Sequence, residues 1–199
     1  MPGNAFESDG RYDNLILTDT EITNELADNL LIEHSRFTRV VMSEVRFKQM
    51  RLSDVRLEKC DLANADWSRT SLNRVELVAC RITGFRFLDG KATDLRLDQC
   101  KADLAQFRGT AFRNSRFENC DLRECDLRMA DLSNVRFEDC DLTGAEFYGA
   151  KLHGADLRGS LIEGIKFEMK DLAGAIIDNE QLLTLARSLA DYAGLTVAE

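Results

Sequence analysis

The chain has 199 residues and a formal net charge of −9, with 35 acidic and 26 basic side chains. This acidic balance argues against nonspecific binding to nucleic acid and favours solubility or a basic partner. No apolar run approaches the roughly 18 residues that a membrane span needs, and the N-terminus lacks the basic and then apolar pattern of a secretory signal. We therefore expect a cytoplasmic protein with no direct contact to nucleic acid or membrane.

A period of five residues dominates the chain. Residues 1–11 are polar and irregular and predict an N-terminal tail. From Tyr12 to Ile177 every fifth residue is apolar, without insertion or deletion, and from Leu30 onward the residue two positions earlier is mostly small. Neither a helix nor an ordinary strand has this period. Residues 12–177 are therefore predicted to form a solenoid in which each five-residue unit buries one large and one small side chain.

Two patterns indicate that one coil consists of four such units. Cysteines recur at intervals of 20, and the aromatic residues fall mainly on one side of such a coil. Equivalent residues of stacked coils lie about 4.8 Å apart with parallel side chains, which suits neither a disulfide nor a tetrahedral zinc site. The cysteines are therefore predicted to be small buried hydrophobic residues. The residues in this column are Cys60, Cys80, Cys100, Cys120 and Cys140.

Residues 178–199 are predicted to form a C-terminal helix. Asp178 precedes Gln181 by three residues, which is the spacing of an N-cap with its reciprocal partner, and Gly194 is a typical stop signal. The apolar arc is broader than one buried face requires. We expect this helix to cap the solenoid and to join two copies in a homodimer. The residues predicted for the cap and the dimer are Leu182, Leu183, Leu185, Ala186, Leu189, Leu195 and Val197.

Short motifs resemble the A-(D/N)-L-x-x repeat of pentapeptide-repeat proteins. They include Cys120-Asp121-Leu122 and the run from Ala155 to Gly159, which reads Ala-Asp-Leu-Arg-Gly. The resemblance implies an all-β solenoid, specifically a right-handed quadrilateral β-helix with four units per coil. The ending from Ile177 to Leu195 resembles that of the Qnr-type and mycobacterial fluoroquinolone-resistance members, in which a terminal helix joins two rods. The resemblance to those members implies that this chain is a DNA mimic that binds DNA gyrase or topoisomerase IV.

No motif indicates catalysis, a cofactor or a metal. The chain has no glycine-rich phosphate loop, no nucleophile elbow and no paired metal-ligand spacing. His34 and His153 would lie six coils apart, roughly 29 Å, which is too far for a shared site. The chain is therefore not expected to be an enzyme.

Charge is distributed unevenly around the coil. On the side that carries the cysteines, eight acidic and three basic outward residues give a net charge of −5, whereas each other side sums to 0 or +1. A negative stripe along a narrow rod could serve as a solvated surface or imitate duplex DNA. The residues predicted for partner binding form the acidic stripe: Glu44, Asp61, Asp103, Asp121, Glu124, Asp141 and Glu163.

Two functional classes remain open at this point. The first is a DNA mimic that binds a type II topoisomerase and protects it from poisons such as quinolones, or modulates their action. The second is a rigid, non-catalytic scaffold for an unidentified protein. The acidic stripe and the C-terminal ending favour the first. The second is favoured by the basic N-terminal units, which contain Arg36, Arg39, Arg46, Lys48, Arg51 and Arg56.

Overall fold

The computed structural model describes residues 5–196. It is a solenoid of short parallel strands in which every pair of facing residues is separated by 20 positions. Tyr12 pairs with Ile32, Ile32 with Leu52, and Leu52 with Leu72. Four five-residue units therefore complete one coil. The predicted right-handed quadrilateral β-helix with a C-terminal helical cap is confirmed.

The strands are short because the chain turns a corner after each five-residue unit. Three strands of eight residues continue around one corner, and isolated bridges connect the sides that carry no named strand. A 3-10 turn, Met169–Leu172, interrupts the last coil, and helix α1, Asn179–Tyr192, follows. The strands are β1 (Arg11–Asp13), β2 (Ile16–Thr18), β3 (Leu26–Asp28), β4 (Leu31–Glu33), β5 (Arg36–Thr38), β6 (Arg46–Lys48), β7 (Arg51–Glu58), β8 (Ser71–Val78), β9 (Lys91–Asp98), β10 (Ala111–Arg113), β11 (Arg116–Glu118) and β12 (Arg136–Glu138).

The periodic apolar residues fill the interior of the rod. Every fifth residue from Ile22 to Ile162 is buried, and the corresponding residues nearer the two ends are half-buried. Rings in adjacent coils pack on one another; those of Phe117 and Phe137 stack with centroids 5.0 Å apart. All six cysteines are buried thiols, which confirms the prediction for the five that recur at intervals of 20. The interior is thus a column of stacked side chains rather than a globular core.

The coil around Ala92 and Ala102 keeps its volume through residues at the small positions. Phe85 and Leu95 are buried there, and the ring of Phe85 lies 5.3 Å from that of Trp67. Strand β9 pairs with β8 on one edge and with β10 and β11 on the other. The rod therefore continues through this coil without a break in register.

The described part of the N-terminal segment, residues 5–10, is irregular and packs on the end of the rod; residues 1–4 lie outside the described residues. Phe6 is buried, and its ring makes edge contacts with Tyr12 at 5.0 Å and Phe47 at 5.5 Å. The backbone amides of Ala5 and Phe6 donate to the carboxylate of Glu25 at 2.8 and 3.2 Å. The open end of a solenoid exposes its apolar interior, so burying one aromatic ring there is favourable.

No helix within residues 5–196 has the length and hydropathy that crossing a membrane requires.

The register predicts a sharp contrast between two adjacent positions. Replacing the buried Phe107 with Asp places an unpaired charge in the apolar interior and should destabilise the rod by more than about 4 kcal/mol. The same substitution at the exposed Arg108 should change stability by less than about 0.5 kcal/mol. Thermal melts of the two variants measure this, and equal losses would contradict the register.

Candidate interaction surfaces

Residues of the acidic stripe occupy a ladder on the outside of the rod. Asp61 faces Arg81 in the next coil, followed in turn by Lys101, Asp121 and Asp141. Each lies one position before a buried apolar residue of the repeat, so it is held at about 4.8 Å from its neighbour. The stripe is therefore interrupted: Arg81 and Lys101 separate its N-terminal carboxylates from the C-terminal ones.

Several aspartates of the stripe also stabilise the turns of their own units. The carboxylate of Asp61 accepts a hydrogen bond from the backbone N–H of Ala63 at 3.0 Å, and Asp141 accepts one from Thr143 at 3.0 Å. Asp121 accepts the equivalent bond at 3.3 Å. Such side-chain-to-backbone bonds are the usual reason for aspartate at a turn. These residues are thus structural as well as acidic, a role that charge counting did not identify.

Arginines on the same side neutralise part of the stripe. Arg81 pairs with Asp61 at 3.0 Å. Arg123 pairs with Asp121 at 2.7 Å and approaches Asp141 to 3.7 Å. The hydrogen bond from Arg123 lowers the pKa of Asp121 below its ordinary value. Ion pairs this exposed contribute about 0–1 kcal/mol to stability, so they shape the local charge more than they hold the fold.

The remaining stripe residues are less constrained. Glu44, Glu124 and Glu163 are exposed and have no cationic group within 4.0 Å among the described residues. Asp103 is half-buried and accepts a hydrogen bond from the hydroxyl of Thr83 at 2.7 Å. The stripe residues of the last coils lie together, whereas Glu44 lies near the opposite end of the rod. We call the group near the C-terminus the C-terminal acidic surface; it comprises Asp121, Glu124, Asp141 and Glu163.

Helix α1 is fixed to the last coil through its first turn. Asp178 accepts a hydrogen bond from the N–H of Gln181 at 2.9 Å and another from the N–H of Gly159 at 3.0 Å. These two backbone bonds lower the pKa of Asp178. The side-chain amide of Gln181 donates to the carbonyls of Leu157 at 2.5 Å and Ser160 at 2.6 Å. The predicted reciprocal cap is present, and it also joins the helix to the rod.

The predicted cap and dimer residues divide into two groups. Leu185 is buried against the end of the rod, and Leu189 is half-buried there. The other described residues of that prediction are exposed, and Val197 lies outside the described residues. Exposed Tyr192 and Leu161, which the prediction did not include, add to the apolar surface at this end. The exposed residues of the prediction are Leu182, Leu183, Ala186 and Leu195.

The histidine and cysteine side chains of the described residues lie apart from one another or are buried. No group of three or more His, Cys, Asp or Glu within residues 5–196 could hold a metal ion. Burial raises the pKa of the Cys125 thiol, which therefore stays protonated. His34 is exposed, and its Nδ1 lies 2.8 Å from Oδ1 of Asp13. This contact raises the pKa of His34. An interior void beside Trp67 has a volume of about 10 Å3, far too small for a ligand.

The comparison with protein families agrees with the architecture. The family model described as the pentapeptide repeat region matches residues 30–107 and 91–167. Among solved structures, the plasmid-mediated fluoroquinolone resistance protein QnrB1 is 19% identical, with 95% of this chain and 100% of that chain covered and a TM-score of 0.47. HetL, a pentapeptide repeat protein involved in heterocyst differentiation regulation from the cyanobacterium Nostoc sp. strain PCC 7120, is 19% identical, with 89% and 93% covered and a TM-score of 0.28. No curated protein matches the chain.

Proposed function

Because the chain belongs to the pentapeptide-repeat family, we propose that it is a non-catalytic binding rod directed at a type II topoisomerase, either DNA gyrase or topoisomerase IV. Its C-terminal acidic surface imitates duplex DNA toward the basic DNA-binding groove of that enzyme. Occupying this groove protects the enzyme from poisons such as quinolones, or modulates their action. The observation that carries the proposal is the grouping of four outward carboxylates on one side of the last coils.

The charge of this surface suits a weak imitation of DNA. Four carboxylates and Arg123 leave a net charge of −3 over two coil steps, which is about one charge per 3 Å. Duplex DNA carries about one per 1.7 Å of its axis. We therefore expect the protein to bind more weakly than DNA and to dissociate readily, which suits a protecting factor that must leave the enzyme active.

The rigidity of the rod supports the same function. Parallel pairing between successive coils fixes the backbone beneath each carboxylate, and the turn bonds of Asp121 and Asp141 fix their side chains. A surface that is already ordered loses little conformational entropy on binding. The uninterrupted repeat means that these sides, rather than inserted loops, contact the partner.

Neutralising the C-terminal acidic surface tests the proposal. The variant Asp121→Asn, Glu124→Gln, Asp141→Asn and Glu163→Gln keeps the side-chain oxygens that accept the turn bonds while it removes the charge. We expect its effect on gyrase supercoiling, with and without quinolone, to fall by about tenfold or more, because complementary charge mainly sets the association rate. The effect of the unaltered protein should also weaken as salt rises.

A matched variant on a different side provides the control. It removes four carboxylates that lie outside the acidic stripe and should retain most of the effect on gyrase. If both variants lose the effect equally, the stripe is only a solvated surface. If the unaltered protein has no effect on gyrase or topoisomerase IV, the topoisomerase proposal fails and the scaffold remains. The control substitutions are Glu58→Gln, Glu76→Gln, Asp98→Asn and Glu138→Gln.

The exposed apolar surface at the C-terminal end suggests a homodimer. Leu183 is 75% exposed although Leu185 and Leu189 of the same helix pack on the rod, and Leu195 and Tyr192 are also exposed. Exposed apolar groups this close together are typical of protein–protein contacts. A second copy, related by a twofold axis, would cover the same surface on both chains.

Sedimentation velocity at micromolar concentration tests the dimer. The unaltered protein should sediment as a dimer, and a Leu183→Glu, Leu195→Glu variant should sediment as a monomer. Its melting temperature should change little, because Leu185 and Leu189 still cap the rod. An unaltered protein that sediments as a monomer would contradict the assignment.

The second candidate function, a rigid scaffold for a different protein, is favoured by a separate observation. The side of the rod next to the acidic stripe carries exposed arginines that have no carboxylate partner among the described residues.

A further inference from the structure

The side of the coil that buries Phe47, Trp67 and Phe107 is nearly neutral as a whole but basic in its middle part. Between positions 46 and 108, five cationic side chains project outward from successive coils on this side. We call this group the basic band. It comprises Arg46, Lys48, Arg69, Arg86 and Arg108.

Most of the basic band has no local counter-charge. Arg46, Arg69, Arg86 and Arg108 are exposed, and none has a carboxylate oxygen within 4.0 Å among residues 5–196. Only Lys48 pairs, at 3.3 Å from a carboxylate. Four guanidinium groups are therefore available to an external anionic group.

Two carboxylates lie on this side between positions 46 and 108. Asp89 is exposed and forms no ion pair among the described residues, whereas Asp66 is held by the fold. Asp66 lies between Arg46 and Arg86 in the ladder but is only 6% exposed, and its Oδ1 accepts the N–H of Ser68 at 3.0 Å. Burial acts to raise the pKa of Asp66, but the bonds from Ser68 and Lys48 outweigh it, so the net pKa is lowered. Asp66 is therefore held in its own turn and does not pair with the flanking arginines.

Arginines on another side of the rod form ion pairs with carboxylates of their own unit. On the side that carries β11, Arg96 pairs with Asp98 at 3.0 Å and Arg116 with Glu118 at 3.4 Å, each two residues along the chain. In the basic band the position two residues after Arg46, Arg86 or Asp66 is never acidic. The absence of pairing therefore follows from the sequence of this side and is not a general property of the rod.

An exposed apolar group continues the basic band toward the C-terminus. Met129 and Tyr148 are 66% and 42% exposed, and the N–H of Met129 donates to the carbonyl of Tyr148 at 3.0 Å, so they lie in adjacent coils. Arginine, methionine and tyrosine are enriched in protein interfaces, where lysine and carboxylates are depleted.

We propose that this side of the rod binds an acidic segment of another protein, with an apolar residue of that segment resting on Met129 and Tyr148. From Arg46 to Tyr148 the surface extends over five coil steps, about 24 Å. That length matches about seven extended residues or about 16 residues of helix. The arginines supply bidentate donors for its carboxylates.

A short acidic segment fits this surface better than nucleic acid does. Residues 5–30 contain seven acidic side chains and one basic one, and residues 121–150 contain eight and three. A long phosphate backbone lying along the rod would meet these acidic regions on either side of the basic band. A peptide of limited length meets the basic band and then the apolar group, where the carboxylates of Asp126 and Glu146 are already paired with Arg128 and Lys166.

Fluorescence anisotropy with a labelled peptide tests the proposal. The probe is a fluorescein-labelled peptide of about 16 residues, rich in glutamate and ending in leucine and phenylalanine. It should bind the full chain at low salt and more weakly at higher salt. The variant Arg46→Gln, Arg86→Gln and Arg108→Gln should lower the affinity by about tenfold or more. A Met129→Asn, Tyr148→Ala variant should weaken binding while the salt dependence stays the same.

Matched controls make the result decisive. The variant Arg36→Gln, Arg113→Gln and Arg136→Gln removes three exposed arginines on other sides, which likewise have no carboxylate partner within the described part of the chain. It should bind the peptide as the unaltered protein does, and thermal melts of all variants should coincide. The proposal is overturned if this control loses binding equally, if a glutamine version of the peptide binds as well, if the unaltered protein binds no peptide, or if a single-stranded oligonucleotide binds more tightly.

Discussion

Backbone pairing between residues 20 positions apart is the constraint on which this structure depends. Each unit's N–H and C=O groups bond to the coils on either side, as where the N–H of Asp121 donates to Cys100 and that of Leu122 to Asp141. Since nearly all buried backbone groups must be hydrogen-bonded, the number of residues per coil is fixed along the rod. Every equivalent position therefore becomes a straight column. The columns inside hold stacked rings and thiols, and those outside hold rows of charge.

This arrangement separates the fold from the surfaces. The interior columns contain the buried apolar side chains, whereas the outward side chains pack against few neighbours. The net charge of each side can therefore vary independently of the fold. The C-terminal acidic surface and the basic band lie on neighbouring sides of one rod. Their opposite signs arise without any change in the backbone beneath them. One rigid element therefore presents two surfaces of opposite charge.

The period, the coil length and the terminal helix were predictable because each is a repeated or local pattern. The burial of Phe6 was not, because a single residue outside the repeat has no periodic signal. The net charge of each side can be counted from the sequence, but local pairing cannot, since the contacts of Arg123 depend on distances within one turn. For the helix, the spacing of its apolar residues predicted an apolar arc. Only the packing of the helix on the last coil shows that Leu185 faces the rod and Leu183 faces outward.

The central claim, that four five-residue units make one coil, is tested most directly by a distance. Spin labels are attached to non-natural amino acids with ketone side chains at positions 36 and 136, so that the buried thiols do not react. Both positions lie on the same side of the rod. Pulsed electron–electron double resonance should give one narrow distribution of spin–spin distances at about 24 Å, which is five coil steps of about 4.8 Å. A distribution centred at about 32 Å, as coils of only three units would give, or a broad one without a maximum, would contradict the account.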